Sequence, residues 1–451
     1  MRRRSVAGPL ILILLGVLFL VYNLRPDLAV AEMIAVYWPF LLIAWGLIRV
    51  VEVVVSFLRG KPQRGGLSGG EVVLIVLICL VGSGIYSAHR HGIRLGMRGM
   101  EMFGQAFDFP VSAGRTVEGV RRVVFENPRG NLRISGADAA EVRISGRKVV
   151  RALGRGEAER ADRETPVEIT VNGDTVLVRT NQERVADNLR VAADLDVAVP
   201  RGVRVEVRGR SGDYEIADIA GPVEIDGERA DVRLHRIGGN ARVELRRSSL
   251  IRVVDIQGNV DLQGRGNDVE LENIGGQVVI GGSYGGSLLF KNLAKPLRFE
   301  SPNTELRVEA LPGQINMDLG GFTARNLIGP VRLTTKSKDV KIEEFTNALE
   351  LETERGDIDL KPGRVPLAAI VARSRFGRID LTLPAKAAFE LQASTEQGQA
   401  INDFGPPIQK ETEGRSATLK GKVGQGPSIH LTTSRGTVWV VKGGVGTPAQ
   451  L

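Results

Sequence analysis

From about residue 203 the chain repeats itself roughly every 18 residues, and this limits its fold more than any other feature. Successive units read VRVEVRGRSGDYEIADIAG, PVEIDGERADVRLHRIGG, NARVELRRSSLIRVVDIQG and NVDLQGRGNDVELENIGG. The first apolar anchor recurs at Val205, Val223, Val243, Val260, Val278, Leu297, Ile315, Val331 and Leu349, 16 to 20 residues apart and most often 18. Each unit holds an apolar–x–apolar run, a polar turn and a second such run. A further apolar residue follows three positions on, and Gly often closes the unit. Alternation with a period of two puts one face inside and one outside. Two short strands cannot bury that face alone, but stacked units bury it continuously.

The expected C-terminal fold is therefore all-β: a single-stranded parallel β-helix, or solenoid, with coils of about 18 residues. Its interior should hold Val205, Val207, Ile216, Ile219, Val223, Ile225, Val232, Leu234 and Ile237. Gly is abundant, at 55 of 451 residues, and is assigned to corners that need φ > 0. Residues 366–404 keep the spacing more loosely, and 402–414 form a polar break. Residues 428–442 return to strand grammar and are expected to close the end of the stack, because solenoid ends need capping. The β-helix domain is placed at 118–442, with an exposed, charged excursion at 151–166 and a disordered tail at 443–451.

The N-terminal fifth is different. Residues 8–24, 33–58 and 72–88 are apolar runs near the length of about 20 residues that spans a bilayer as a helix. Residues 1–88 are read as an α-helical transmembrane module of about three spans, and 89–117 as a juxtamembrane linker. Arg2, Arg3 and Arg4 precede the first run, and Arg59, Lys61 and Arg64 follow the second. The positive-inside rule then puts the N-terminus in the cytoplasm and the β-helix outside it. The first run, followed by Ala29, Val30 and Ala31, also fits a cleaved signal peptide. Either case leaves the C-terminal domain outside. Arg49 and Glu52 read as a snorkelling interfacial pair.

The chemistry-bearing residues are few. The single Cys79 excludes an internal disulfide framework and a Cys-rich zinc site. It falls in an apolar run and reads as a small apolar residue. His89 and His91 form a pair too small for a metal site, and His235 and His430 are isolated. Asp213, Asp231, Asp268, Asp339 and Asp357 share one corner of their repeats. Asp213 and Asp231 on adjacent coils could serve a glycosidase or a cation site. Asp at a turn, accepting local backbone N–H groups, is the preferred reading. The glycine-rich stretch 281–286 has no helix behind it to hold phosphate, so it reads as a corner. Arg355, Gly356 and Asp357 spell an integrin tripeptide but fit the same turn slot. No catalytic, metal or cofactor site is expected. Residues 1–110 hold 11 Lys and Arg against six Asp and Glu, and the rest 49 against 46. The outer domain is nearly balanced, which argues against nucleic acid as a partner.

The run YWPFLLIAWGLIRVVE resembles the LiaI/LiaF-type transmembrane region of bacterial membrane proteins. FENPRGNLRISG, the repeated SGDYEI and RGDIDL units, and LTTSRGTVWV resemble the putative adhesin family, also called Toastrack or LiaF-like C-terminal domain. The resemblance implies a non-enzymatic, multi-pass protein of the bacterial cytoplasmic (inner) membrane, with an extracytoplasmic solenoid. It implies a role in envelope-stress sensing or scaffolding through another membrane or envelope protein. Surface adhesion or binding of wall polysaccharide is the alternative, and a β-helix carbohydrate-active enzyme a more remote one. Beyond the lipid bilayer and such partners, no cofactor is implied.

Overall fold

A computed structural model describes residues 105–185 and 189–443. The three apolar runs, Cys79, His89, His91, Arg49, Glu52 and residues 444–451 lie outside the described residues. No helix among the described residues is long and apolar enough to cross a membrane. The chain divides into two compact units, Met1–Phe107 with Arg151–Arg160, and Asp108–Val150 with Ala161–Leu451. The β-solenoid belongs to the second. Gln105–Thr116, inside the segment expected to be a linker, is a strand with no buried residue. The charged excursion contains an α-helix, Arg155–Glu164. Beside its C-terminal end the buried Lys148 donates to the carbonyls of Asp162 (2.8 Å) and Thr165 (2.5 Å) and pairs with the Asp162 carboxylate at 2.7 Å. A lysine there satisfies carbonyls that a helix end leaves open.

Each coil contributes one strand segment to a first row and one to a second. In the first row the Cα partners run Val176, Val123, Val205, Val223, Ala241, Val260, Val278 and Leu297, all parallel. The second row carries Leu132, Tyr214, Val232, Ile251, Val269 and Leu288 in the same manner. All are at most 3% exposed, as are the expected interior residues Val207, Ile216, Ile219, Ile225, Leu234 and Ile237. Burying each such aliphatic side chain contributes about 1.5–3 kcal/mol. The anchor expected at Val243 is Ala241, two residues earlier.

The stack departs from a uniform parallel β-helix in two places. Strand Thr304–Met317 runs antiparallel to its three partners, Leu288–Leu293, Leu297–Ser301 and Gly321–Ser337. Ile315, expected as a parallel anchor, sits on this reversed coil opposite Ala324. From Val331 the parallel order resumes through Leu349 and Ile370. The second departure concerns the last strands. Ser428–Arg435 pairs on one side with Ile370–Phe376 and on the other with Phe389–Gln397. Val438–Gly443 is likewise held between Ile379–Pro384 and Ala400–Asp403. They are inserted within the stack and do not close its end. The outer position belongs to the antiparallel pair Ser416–Val423 and Gln409–Glu413, the second of which lies within the stretch 402–414 read as a polar break.

The corners divide the work between residue types. One corner takes the left-handed conformation in seven coils, yet non-glycine residues occupy it: Asp218, Arg236, Asp255, Asn273, Asn292, Asn326 and Glu344, with φ between 52 and 61°. Asn and Asp tolerate this region because their short side chains bond locally. Here they bond along the stack: Asn273 Nδ2 donates to Asp255 (2.8 Å) and Asn292 Nδ2 to Asn273 (2.8 Å). The expectation that Gly supplies these corners holds elsewhere. At Gly264, φ is +137°, and a Cβ would lie 1.7 Å from the Leu245 carbonyl oxygen.

In the later half a ladder of buried hydroxyls lines a corner. Thr335, Thr353, Ser374, Thr433 and Thr395 are register partners in that order. Ser374, Thr433 and Thr395 each donate to the carbonyl of the corner glycine one coil away, Gly356 (3.3 Å), Gly377 (3.0 Å) and Gly436 (2.9 Å) respectively. The hydroxyls satisfy carbonyls that a tight corner would otherwise bury unpaired. Three buried hydroxyls in the other half, those of Tyr214, Tyr284 and Ser248, lack this provision. Tyr214 and Tyr284 make no hydrogen bond through their Oη atoms, and burial pushes both phenols up to about 12.

Gly264→Ala should therefore destabilise the protein by about 3 kcal/mol in denaturant unfolding, through strain and close approach to the neighbouring coil. The tyrosines give a pH dependence. Their folded pKa lies above the unfolded value of about 10, so their contribution is present below pH 10 and lost as pH rises towards 12. Stability should fall by about 2 kcal/mol per tyrosine over that window. Tyr214→Phe should remove part of the fall and cost less than about 1 kcal/mol at neutral pH, because no hydrogen bond is lost.

Candidate functional site

The residue that follows the second inward anchor of each coil points outward. Register aligns these residues across six coils as Arg208, Asp226, Glu244, Gln263, Gly281 and Glu300. The next column inward to the corner is Gly209, Gly227, Leu245, Gly264 and Gly282. Together with Glu228, Arg246 and Arg265 they line an open groove of about 1020 Å³. The glycines give it a floor almost without side chains. A Cβ on Gly209 would lie 2.0 Å from the Tyr214 hydroxyl, so the buried tyrosine packs directly against this floor.

The groove walls carry both signs of charge. Arg208 is held at one end by Glu206 (3.6 Å) and Glu126 (3.9 Å). Glu206 is a hub: only 5% exposed, it also pairs with Arg122 at 2.5 Å and Arg204 at 3.2 Å. The Glu206 hydrogen bond pushes the Arg122 guanidinium further up. Glu228 pairs with Arg210 at 4.0 Å, Glu244 with Arg242 at 3.5 Å and Glu300 with Arg298 at 2.5 Å. Asp226, Arg246 and Arg265 make no ion pair among the described residues. The groove thus offers two free guanidinium groups and a free carboxylate over a bare floor, which suits recognition of a polar, extended ligand. Alternating outward residues were visible in the sequence. The alignment of glycines beside them was not, because it depends on the register.

Four of the five corner aspartates hold the backbone of the next coil. Asp231 Oδ1 accepts the N–H groups of Ser249 (2.8 Å) and Leu250 (3.0 Å). Asp268 Oδ1 accepts from Ser287 (2.8 Å), Asp339 from Asp357 (2.9 Å) and Asp357 from Arg378 (2.7 Å). Each therefore caps the next coil, where local turn bonding was expected. Asp213 differs: its own N–H donates to Asn131 Oδ1 at 2.9 Å. Asp213 and Asp231 are register partners, but neither lines the groove. Arg355, Gly356 and Asp357 occupy a corner whose aspartate is engaged in this capping.

The glycines at 281–286 also form a corner, with Gly285 and Gly286 donating to Gly266 (2.9 Å) and Asn267 (3.1 Å). His235 pairs with Asp255 at 3.1 Å, and His430 lies on the outer side of the inserted C-terminal strand. No group of three or more His, Cys, Asp or Glu among the described residues is placed to hold a metal ion. Asp380 stands apart: burial and the nearby Asp359 and Asp357 push its carboxyl up, against the opposing pull of Arg378 at 2.9 Å.

No curated protein sequence matches this chain. Among solved structures, a putative cell adhesion protein of Clostridium sporogenes is 9% identical, over 74% of this chain and 100% of that one, with a TM-score of 0.17. A putative adhesin of Bacteroides fragilis is 9% identical, over 74% and 97%, with a TM-score of 0.26. A putative adhesin of Parabacteroides distasonis is 8% identical, over 75% and 98%, with a TM-score of 0.21. Scores this low say nothing of what the protein does, and its assignment rests on the sequence family. The family model described as Toastrack DUF4097 matches residues 158–440, well over half of the chain. The chain belongs to the Toastrack (DUF4097) family.

Proposed function

We propose that this chain is a non-enzymatic bacterial envelope protein, anchored in the cytoplasmic membrane by its N-terminal apolar runs, with its solenoid outside the cytoplasm. The solenoid senses envelope stress or scaffolds a complex by binding a protein partner along the glycine-floored groove. One observation carries this reading: Asp226, Arg246 and Arg265 line one open groove and make no ion pair among the described residues. Groups left unpaired in an open groove are available to a partner's opposite charges, which would set specificity and encounter rate. The apolar runs and their arginine-rich flanks support the membrane anchor and its orientation.

A second reading has its own support. The side-chain-poor floor of Gly209, Gly227, Gly264 and Gly282 leaves room for a flat sugar chain, with Arg, Asp and Gln placed to bond its hydroxyls. In this reading the protein binds wall polysaccharide.

Crosslinking mass spectrometry on native membranes, with the full chain as bait, tests the first reading. A membrane or envelope protein should crosslink to residues flanking the groove, and Arg246→Glu with Arg265→Glu should reduce its recovery about fivefold or more. Unchanged recovery from that variant would refute the groove as the docking surface. Cosedimentation with purified wall polymer tests the second. Binding that is lost in the same variant would transfer the groove to polysaccharide.

A further inference from the structure

The later half of the solenoid carries a second charged feature at the corner built by the hydroxyl ladder. Register aligns Ser337, Arg355, Phe376, Arg435 and Gln397 in one outward column. Phe376 stands between two arginines one coil away on either side. The Arg435 guanidinium lies 5.6 Å from the Phe376 ring centroid, and that of Arg375, the preceding residue, lies 5.3 Å from it. Beside this column the corner glycines Gly356, Gly377, Gly436 and Gly398 stack without side chains, each approached within about 2 Å of a virtual Cβ by the backbone of an adjacent coil.

These three arginines differ from those that are paired between coils. Exposed arginines here commonly pair with a carboxylate on the adjacent coil: Arg204 with Glu224, Arg236 with Asp218, Arg252 with Glu270, Arg325 with Glu343, Arg332 with Glu350. Arg355, Arg375 and Arg435 are exposed and make no ion pair among the described residues. Glu354, beside Arg355, does not pair with them either. The neighbouring carboxylate Asp357 is engaged with the Arg378 backbone and guanidinium.

We propose that this corner is an anion-binding site for phosphate-bearing polymers or headgroups, separate from the groove. Three guanidinium groups on three consecutive coils, about 4.8 Å apart per coil, present a line of planar donors that matches phosphate oxygens in bidentate fashion. The Phe376 ring holds two of them against its face, so the donors are partly ordered before a ligand arrives. The bare glycine strip beside them admits a chain running along the solenoid axis.

The test uses the full chain in nanodiscs of phosphatidylcholine, with inorganic polyphosphate and, separately, phosphatidylglycerol vesicles as probes. The protein should bind polyphosphate in a manner weakened by salt. Combined Arg355→Gln, Arg375→Gln and Arg435→Gln should weaken that binding about tenfold or more, with an unchanged thermal unfolding curve. Arg252→Gln, on a paired arginine elsewhere, should leave it unchanged. Binding to phosphatidylglycerol vesicles as well as polyphosphate would assign the site to headgroups, and binding to polyphosphate alone to a free polymer. No binding of either probe, or equal binding by the triple variant, would overturn the proposal. Equal loss in the groove variant Arg246→Glu with Arg265→Glu would also overturn it, while leaving the groove reading to its own test.

Discussion

Each coil of this protein is completed by the next. Its strands bury one face only when a neighbour covers them, and its corners close only when the adjacent coil supplies a hydrogen-bond partner. Val205 packs between Val123 and Val223. Asp231, Asp268, Asp339 and Asp357 bond backbone groups of the coil beyond. Asp255, Asn273 and Asn292 of the left-handed corner are bonded in sequence along the stack, and the hydroxyls of the later half bond the corner glycine carbonyls of the adjacent coil. Inter-coil contact is therefore at once the source of stability and the device that sets which side chains line up outside. The groove and the arginine corner both arise from register, as no single coil contains either.

Much of this was legible in the chain. The period-two runs located the strands, and the expected interior residues are buried because alternation and burial are one constraint in a stacked sheet. Four of the corner aspartates do accept backbone N–H groups as turn chemistry requires, but from the next coil rather than from their own turn. Three features were not legible, for physical reasons. The anchor expected at Val243 lies at Ala241, because both residues are inward and buried and the pattern alone does not say which one opens the strand. The reversal at Thr304–Met317 leaves alternation intact, since a strand and its reverse bury the same residues. The insertion of Ser428–Arg435 pairs segments more than 50 residues apart on one side, and local pattern holds no information about that.

The site followed the same division. Charged outward residues could be picked out from alternation, but their pairing could not. Arg252 and Arg435 are both exposed arginines on strands of the stack. The register gives Arg252 a Glu270 and gives Arg435 a phenylalanine. Function on a solenoid surface depends on such differences, because the fold repeats everywhere and only the decoration changes.

The account depends most on the order of the coils, and the inserted C-terminal strand is its sharpest consequence. Val371 and Gln392 both face His430 as register partners, one on either side. In the full chain with Cys79→Ser, oxidation should form a disulfide in V371C/H430C and in Q392C/H430C, since Cα partners on paired strands lie within disulfide reach. V371C/Q392C should not crosslink. A disulfide in V371C/Q392C, with none in the two His430 pairs, would place the last strand outside the stack and contradict the register on which both proposed surfaces rest.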